Sequence, residues 1–179
     1  MSTVQILIAG FGGQGVLFAG KCIAYKGLQE GKQLSWLPSY GPEMRGGTAN
    51  CSVIISDTPV GSPIVSTPDV LTVMNLPSLD TYEDATVPGG KIFIDSTLID
   101  RKVKRTDVDA YYIPATQMAK DAGIPTLANM IMVGKMIKEA GIVSYDGMKE
   151  ALSHVVSAKH ADLLDANLKA IETGYNYEG

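Results

Sequence analysis

The chain has 179 residues, 45% hydrophobic and 19% charged, which suits one globular domain with a proper core over residues 1–179. A formal net charge of −4 without a basic block argues against a nucleic-acid or anionic-membrane surface, since phosphate binding needs clustered Lys and Arg. The two cysteines, Cys22 and Cys51, form neither a CxxC pair nor a disulfide framework; they read as reduced, buried thiols of a cytoplasmic protein, and no metal site is expected.

Val4 to Ala9 is a short apolar run ending at Gly10, as in a buried strand. No basic segment precedes it and Gly and Gln interrupt it, so neither a signal peptide nor a membrane span is expected. Apolar residues at helical spacing predict a helix from Gly13 to about Glu30, stopped by Gly31. Gln33–Leu37 reads as a second strand and Ala49–Ser56 as a third. An irregular link at 57–69 leads to a fourth strand at Val70–Met74 and a short helix at Leu76–Asp84. Strands at Lys91–Ile94 and Ala110–Ile113 follow, then helices at Ala115–Ala122, Thr126–Ala140, Ser144–Val156 and Ala161–Thr173. Ser144-Tyr145-Asp146 is the expected cap of the third of these, and Gly174 onward reads as a tail. The basic run Arg101–Arg105 reads as a solvated loop.

Strands alternating with helices indicate an α/β fold: a Rossmann-like, open, mostly parallel sheet with helices on both faces and a helical C-terminal region. One connection departs from this. A parallel crossover needs a dozen or more residues, and the link from Leu37 to Ala49 is full of Gly and Pro. The third strand is therefore expected to run antiparallel, making the sheet mixed. The link then lies at the carboxyl edge of the sheet beside the loop after the first strand, where ligands bind in open α/β folds.

Two segments carry candidate chemistry. Gly10-Phe11-Gly12-Gly13-Gln14-Gly15 fits G-x-G-x-x-G between a strand and a helix. In that reading Gly10 permits the turn, Gly12 lets the backbone approach a pyrophosphate, and Gly15 allows close packing. A nicotinamide site also wants an acidic residue at the end of the second strand, where this chain has Ser35-Trp36-Leu37-Pro38. Three readings stay open: a phosphate-bearing ligand of another kind, a free-standing dinucleotide-binding enzyme, which the missing acidic residue disfavours, or glycines that serve only the turn and packing against a neighbouring subunit. The second segment is Tyr40 to Gly47, in which Gly41, Pro42, Gly46 and Gly47 frame Glu43 and Arg45. That pair is either a brace for the loop or a contact to a ligand or partner. No catalytic nucleophile–base pair stands out, and His154 and His160 read as surface or helix-end residues.

Together, Gly10-Phe11-Gly12-Gly13-Gln14-Gly15-Val16 and Ser39-Tyr40-Gly41-Pro42-Glu43-Met44-Arg45-Gly46-Gly47 resemble the paired signature of the gamma subunit of 2-oxoacid:ferredoxin oxidoreductases. Asp69-Val70-Leu71, Pro77-Ser78-Leu79 and Asn129 fit as well. The run Arg45–Cys51 is more similar to the 2-oxoglutarate type than to the pyruvate type, with branched-chain enzymes close. The resemblance implies a multi-subunit enzyme that decarboxylates a 2-oxoacid with coenzyme A, giving acyl-CoA, CO2 and reduced ferredoxin. It implies alpha and beta partners, and in some members a ferredoxin-like delta subunit. Thiamine diphosphate and iron–sulfur clusters would sit in those partners. It also implies that Gly10, Gly12, Gly13, Gln14 and Gly15 contribute to coenzyme A binding, and that Tyr40, Glu43, Arg45, Gly46 and Gly47 face ligand or partner.

Overall fold

A computed structural model describes residues 2–40 and 48–179. The segment with Glu43, Arg45, Gly46 and Gly47 lies outside the described residues, as does the side chain of Tyr40. Six strands form one sheet: β1 (Thr3–Phe11), β2 (Gln33–Tyr40), β3 (Thr48–Ser56), β4 (Val70–Val73), β5 (Lys91–Asp95) and β6 (Asp109–Ile113), in the order β2-β3-β1-β4-β5-β6. β3 is antiparallel to both β2 and β1, while β1, β4, β5 and β6 pair in parallel. The expected mixed, mostly parallel sheet is what forms, and the short 41–47 connection is the reason.

The strands read as near-continuous apolar runs because both faces are covered. Ile6, Ile8, Cys51, Val53, Ile55 and Phe93 point to one face, and Leu7, Ile54, Leu71, Ile92 and Ile94 to the other. The first face carries the larger core. α1 (Val16–Gln29) lies on β1, β2 and β3, and α4 (Ala128–Ala140) contacts β5. α3 (Ala115–Asp121) packs on α4 and α5 (Met148–Val155) on α1, while α6 (Asp162–Tyr175) packs chiefly on α4. The second face is covered by α2 (Leu76–Tyr82) and by irregular chain that contributes Val60, Val65, Ile99, Val103 and Val108. Each fully buried Leu, Ile or Phe is worth about 1.5–3 kcal/mol, so the first face dominates the stability. None of the described helices is long and apolar enough to cross a membrane.

Several boundaries differ from the sequence reading. β1 runs on to Phe11, so Gly10 is a strand residue paired with Ala49. α1 starts at Val16, because Gly13 and Gly15 take left-handed φ of 92° and 74°. β2 continues through Pro38 to Tyr40; as an edge strand it can tolerate a residue without an N–H. α5 begins at Met148 behind Gly147 (φ 82°), not at the Ser144 cap. Ser144 instead serves α1: its N–H donates to Glu30 Oε1 at 2.7 Å and its hydroxyl accepts from buried Lys26 at 3.3 Å. Partial burial disfavours the Glu30 carboxylate, but the Ser144 N–H and hydroxyl and the Lys26 ammonium outweigh it and hold its pKa below the ordinary value. α6 absorbs Gly174 and Tyr175, which the sequence reads as tail.

That extension has a packing cause. A Cβ on Gly174 would strike the backbone carbonyl of Ile131, and one on Gly134 would strike that of Ile171. α4 and α6 therefore cross backbone against backbone, which only glycine permits. Overpacking of this kind costs typically 1–3 kcal/mol, so Gly174→Ala should lower the urea midpoint by about that equivalent with an unchanged m-value. Gly61→Ala, where the added carbon meets nothing within 4 Å, should change stability by no more than about 0.5 kcal/mol.

Candidate functional site

The carboxyl ends of β1, β4 and β5 lie along one edge of the sheet. β1 ends there in a turn at Gly12 and Gly13, closed by the Gln14 N–H to Phe11 C=O bond at 3.2 Å. Gly15 then caps α1 without any side-chain cap, and the first turn of α1 holds no acidic residue. The first helical bond runs from Ala19 N–H to Gly15 C=O at 3.0 Å. The N–H groups of Val16, Leu17 and Phe18 precede it, so the helix supplies no backbone acceptor for them. They join the positive end of the helix dipole to make a position that favours an anion. Gly12 and Gly13 are exposed, and an open depression of about 310 Å³ borders them, lined also by Phe11, Val16, Phe18 and Ala49.

The glycines of this segment follow the duties the spacing suggests only in part. Gly10 does not make the turn. A Cβ there would come within 2.5 Å of Gln14 Oε1, 3.1 Å of Val16 Cγ1 and 3.2 Å of Met74 Cβ, so its role is close packing. Gly15 does allow close packing, against the Asn129 amide of α4. Gly13 supplies the left-handed turn. The Gln14 side chain turns inward: its carbonyl accepts the Phe11 N–H at 2.6 Å and its NH2 donates to Met74 C=O at 2.9 Å. An open turn, uncapped helix N–H groups and a first helical turn without acidic residues suit an anion such as a diphosphate.

Neighbouring polar groups are committed to structure. Buried Asp95 at the end of β5 accepts from the Thr97 N–H (3.2 Å), the Thr116 N–H (3.3 Å) and the Thr116 hydroxyl (2.6 Å), which ties β5 to α3. Asn75 caps α2 through the Ser78 N–H at 2.9 Å. His154 stacks on Tyr25 with centroids 5.2 Å apart, and His160 lies in an exposed turn. The basic run is more than solvated loop. Arg101 pairs with Asp80 (2.7 Å) and buried Glu83 (2.9 Å). Arg105 pairs with Asp107 and donates to the carbonyls of Glu83 and Thr86. Among the described residues no group of three or more His, Cys, Asp or Glu could hold a metal ion.

The chain matches the pyruvate ferredoxin/flavodoxin oxidoreductase family over residues 5–177. It belongs to that family. It is 42% identical over 173 residues to the ketoisovalerate oxidoreductase subunit VorA of Methanothermobacter thermautotrophicus, covering 96% of this chain and 35% of the relative. Against the 2-oxoglutarate synthase subunit KorC of Methanocaldococcus jannaschii it is 34% identical, covering 96% of this chain and 91% of the relative. The chain thus spans about a third of the length of the VorA relatives and nearly all of KorC. Among solved structures, the gamma subunit of a keto/oxoacid ferredoxin oxidoreductase from Geobacter sulfurreducens superposes with a TM-score of 0.82 at 30% identity, covering 96% of each chain. The 2-oxoglutarate:ferredoxin oxidoreductase of Magnetococcus marinus, solved with 2-oxoglutarate, coenzyme A and succinyl-CoA, also gives 0.82 at 25% identity, covering 98% of this chain and 31% of that one. The fold of this family member is therefore the gamma-subunit fold.

Both family-member thiols lie in the larger core rather than at the edge. Burial raises the pKa of Cys22 to about 12, against a smaller lowering by Lys21, and burial likewise raises Cys51 to about 12. The Cys51 S–H donates to Val16 C=O at 3.3 Å. A raised thiol pKa keeps the native proton after the unfolded chain has lost its own. The resulting stability is complete below pH 9.0 and is lost as pH climbs towards about 12. The native protein should therefore show no reaction with a thiol reagent at pH 8, two reactive thiols on unfolding, and falling stability above pH 9.

Proposed function

We propose that the chain is the gamma component of a multi-subunit 2-oxoacid:ferredoxin oxidoreductase, in which it contributes to coenzyme A binding and subunit assembly. The observation that carries this reading is the open, uncapped glycine turn in a chain that matches the gamma subunit of a keto/oxoacid ferredoxin oxidoreductase over 96% of its length. The Magnetococcus relative with coenzyme A bound supports the ligand class. Coenzyme A would accept the acyl group on its thiol. This chain would hold the diphosphate on the N–H groups of Val16, Leu17 and Phe18, with Gly12 and Gly13 allowing close approach. Arg45 and Glu43 belong to the same proposal as contacts to ligand or partner, since an Arg fork suits phosphate or carboxylate. Thiamine diphosphate and iron–sulfur clusters would belong to alpha and beta partners, with a ferredoxin-like delta subunit in some assemblies and ferredoxin as acceptor; two buried cysteines in this chain are too few to ligate a cluster.

The proposed substrate is 2-oxoglutarate, supported by the near-complete length match to KorC. The higher identity to VorA favours a second reading, a branched-chain 2-oxoacid. Reconstitution with the partner chains and a viologen-reduction assay should separate the two by comparing 2-oxoglutarate with ketoisovalerate. Under either reading the isolated chain should reduce no viologen; turnover without partners would overturn the proposal. Gly12→Val should raise the apparent KM for coenzyme A while assembly stays intact. Failed assembly would instead support a purely structural subunit.

A further inference from the structure

We infer that Gln14 and Asn129 are positioning residues: two side-chain amides that grip the glycine turn at its two ends, Phe11 and Gly15, and fix the direction of its N–H groups before a ligand arrives. The inference rests on the proposed coenzyme A contact. Gly12 and Gly13 have more backbone freedom to lose than any other residues, so an ungripped turn would sample many conformations and pay for each binding event in ordering.

Gln14 provides the first grip. Its carbonyl occupies the Phe11 N–H and its NH2 occupies the Met74 C=O, so one side chain ties the end of β1 to the end of β4. Both ends of the amide are thereby used within the chain, which makes Gln14 a brace for the turn rather than a group aimed at ligand. Gly10 is glycine so that this amide can lie against the strand.

Asn129 provides the second grip, from α4 and 114 residues further along. It is 4% exposed, and its NH2 donates to Gly15 C=O at 2.9 Å. The same carbonyl accepts the Ala19 N–H at 3.0 Å, so the cap residue of α1 is held by its own helix and by α4 together. The Asn129 Oδ1 is buried without a partner. An unmet acceptor is costly, and the amide is retained with its other end on the Gly15 carbonyl. Holding a site in its bound shape lowers the ordering cost of binding. The effect therefore belongs in affinity for coenzyme A, not in turnover.

In the assembled complex, Gln14→Met (similar volume, no amide) and Asn129→Ala should each raise the apparent KM for coenzyme A roughly tenfold, with kcat within about twofold. Gln14→Glu keeps an acceptor for Phe11 but turns a charged oxygen on the Met74 carbonyl and on the anion, so it should be worse than Gln14→Met. Hydrogen exchange on the full chain alone provides a second measurement. The hydrogen-bonded amides of Phe11, Gln14 and Ala19, which bracket the turn, should exchange at least about tenfold faster in Gln14→Met and Asn129→Ala, with β4 and β5 unchanged. Parent-like exchange in the turn, a fall in kcat with KM unchanged, or Gln14→Glu binding better than Gln14→Met would overturn the inference. If the parent complex shows no protection of the turn by coenzyme A, the ligand proposal fails, and the exchange measurement still decides whether the two amides hold the turn.

Discussion

The placement of β3 is the constraint on which the rest of the structure depends. A connection too short for a crossover helix makes β3 return antiparallel beside β2, and β3 then also pairs with β1 along its whole length. This separates β2 from β1 by one strand, and α1 must span three strands to connect them. It does so by lying close: a Cβ on Gly20 would strike Cys51 Sγ, and one on Gly27 would touch Ile55. The same geometry brings the ends of β2 and β3 to the edge where β1 ends, so the glycine turn and the 41–47 connection start from neighbouring positions.

The two faces of the sheet are stabilised differently. On the first, helices meet over a large apolar core, and α4 and α6 approach through Gly134 and Gly174. On the second, a seven-residue helix and irregular chain cover a smaller core, and polar contacts carry more of the work. Glu83 is the centre of that side. Its buried carboxylate accepts the backbone N–H groups of Lys104 and Arg105 and the Arg101 guanidinium, so it is both paired and hydrogen-bonded. A buried charge left without such partners would be strongly destabilising. Of the basic run, the Arg101 guanidinium and the Lys104 and Arg105 backbone N–H groups meet this requirement, while the Arg105 guanidinium pairs with Asp107.

At the candidate site, packing and ligand demands fall on different atoms of one short motif. Gly10 is small because the Gln14 amide presses on it, Gly13 is glycine because of its φ, and Gly15 is glycine on both grounds, pressed by the Asn129 amide at a φ of 74°. The anion-facing quality comes from what is missing around α1: no side-chain cap and no acidic residue in the first turn. An Asp or Ser at the cap position would satisfy the helix internally and close the position to a phosphate.

The sequence by itself determined the fold class, the strand order of appearance, the antiparallel run of β3 beside β2 and the glycine turn before α1. These depend on local quantities: apolar runs, helical spacing, link length and residues that permit positive φ. It also carried the family signature. It could not determine what Gln14 or Asn129 does, because nothing in local spacing links residue 14 to Met74 or residue 129 to Gly15. Nor could it show that Gly10 stays in a strand, that Ser144 serves α1 rather than α5, or that Gly174 lies inside α6. Each of these is decided by a partner brought close only when the sheet and helices pack. Periodicity reports the face a residue turns inward, and tertiary contact alone decides what waits there.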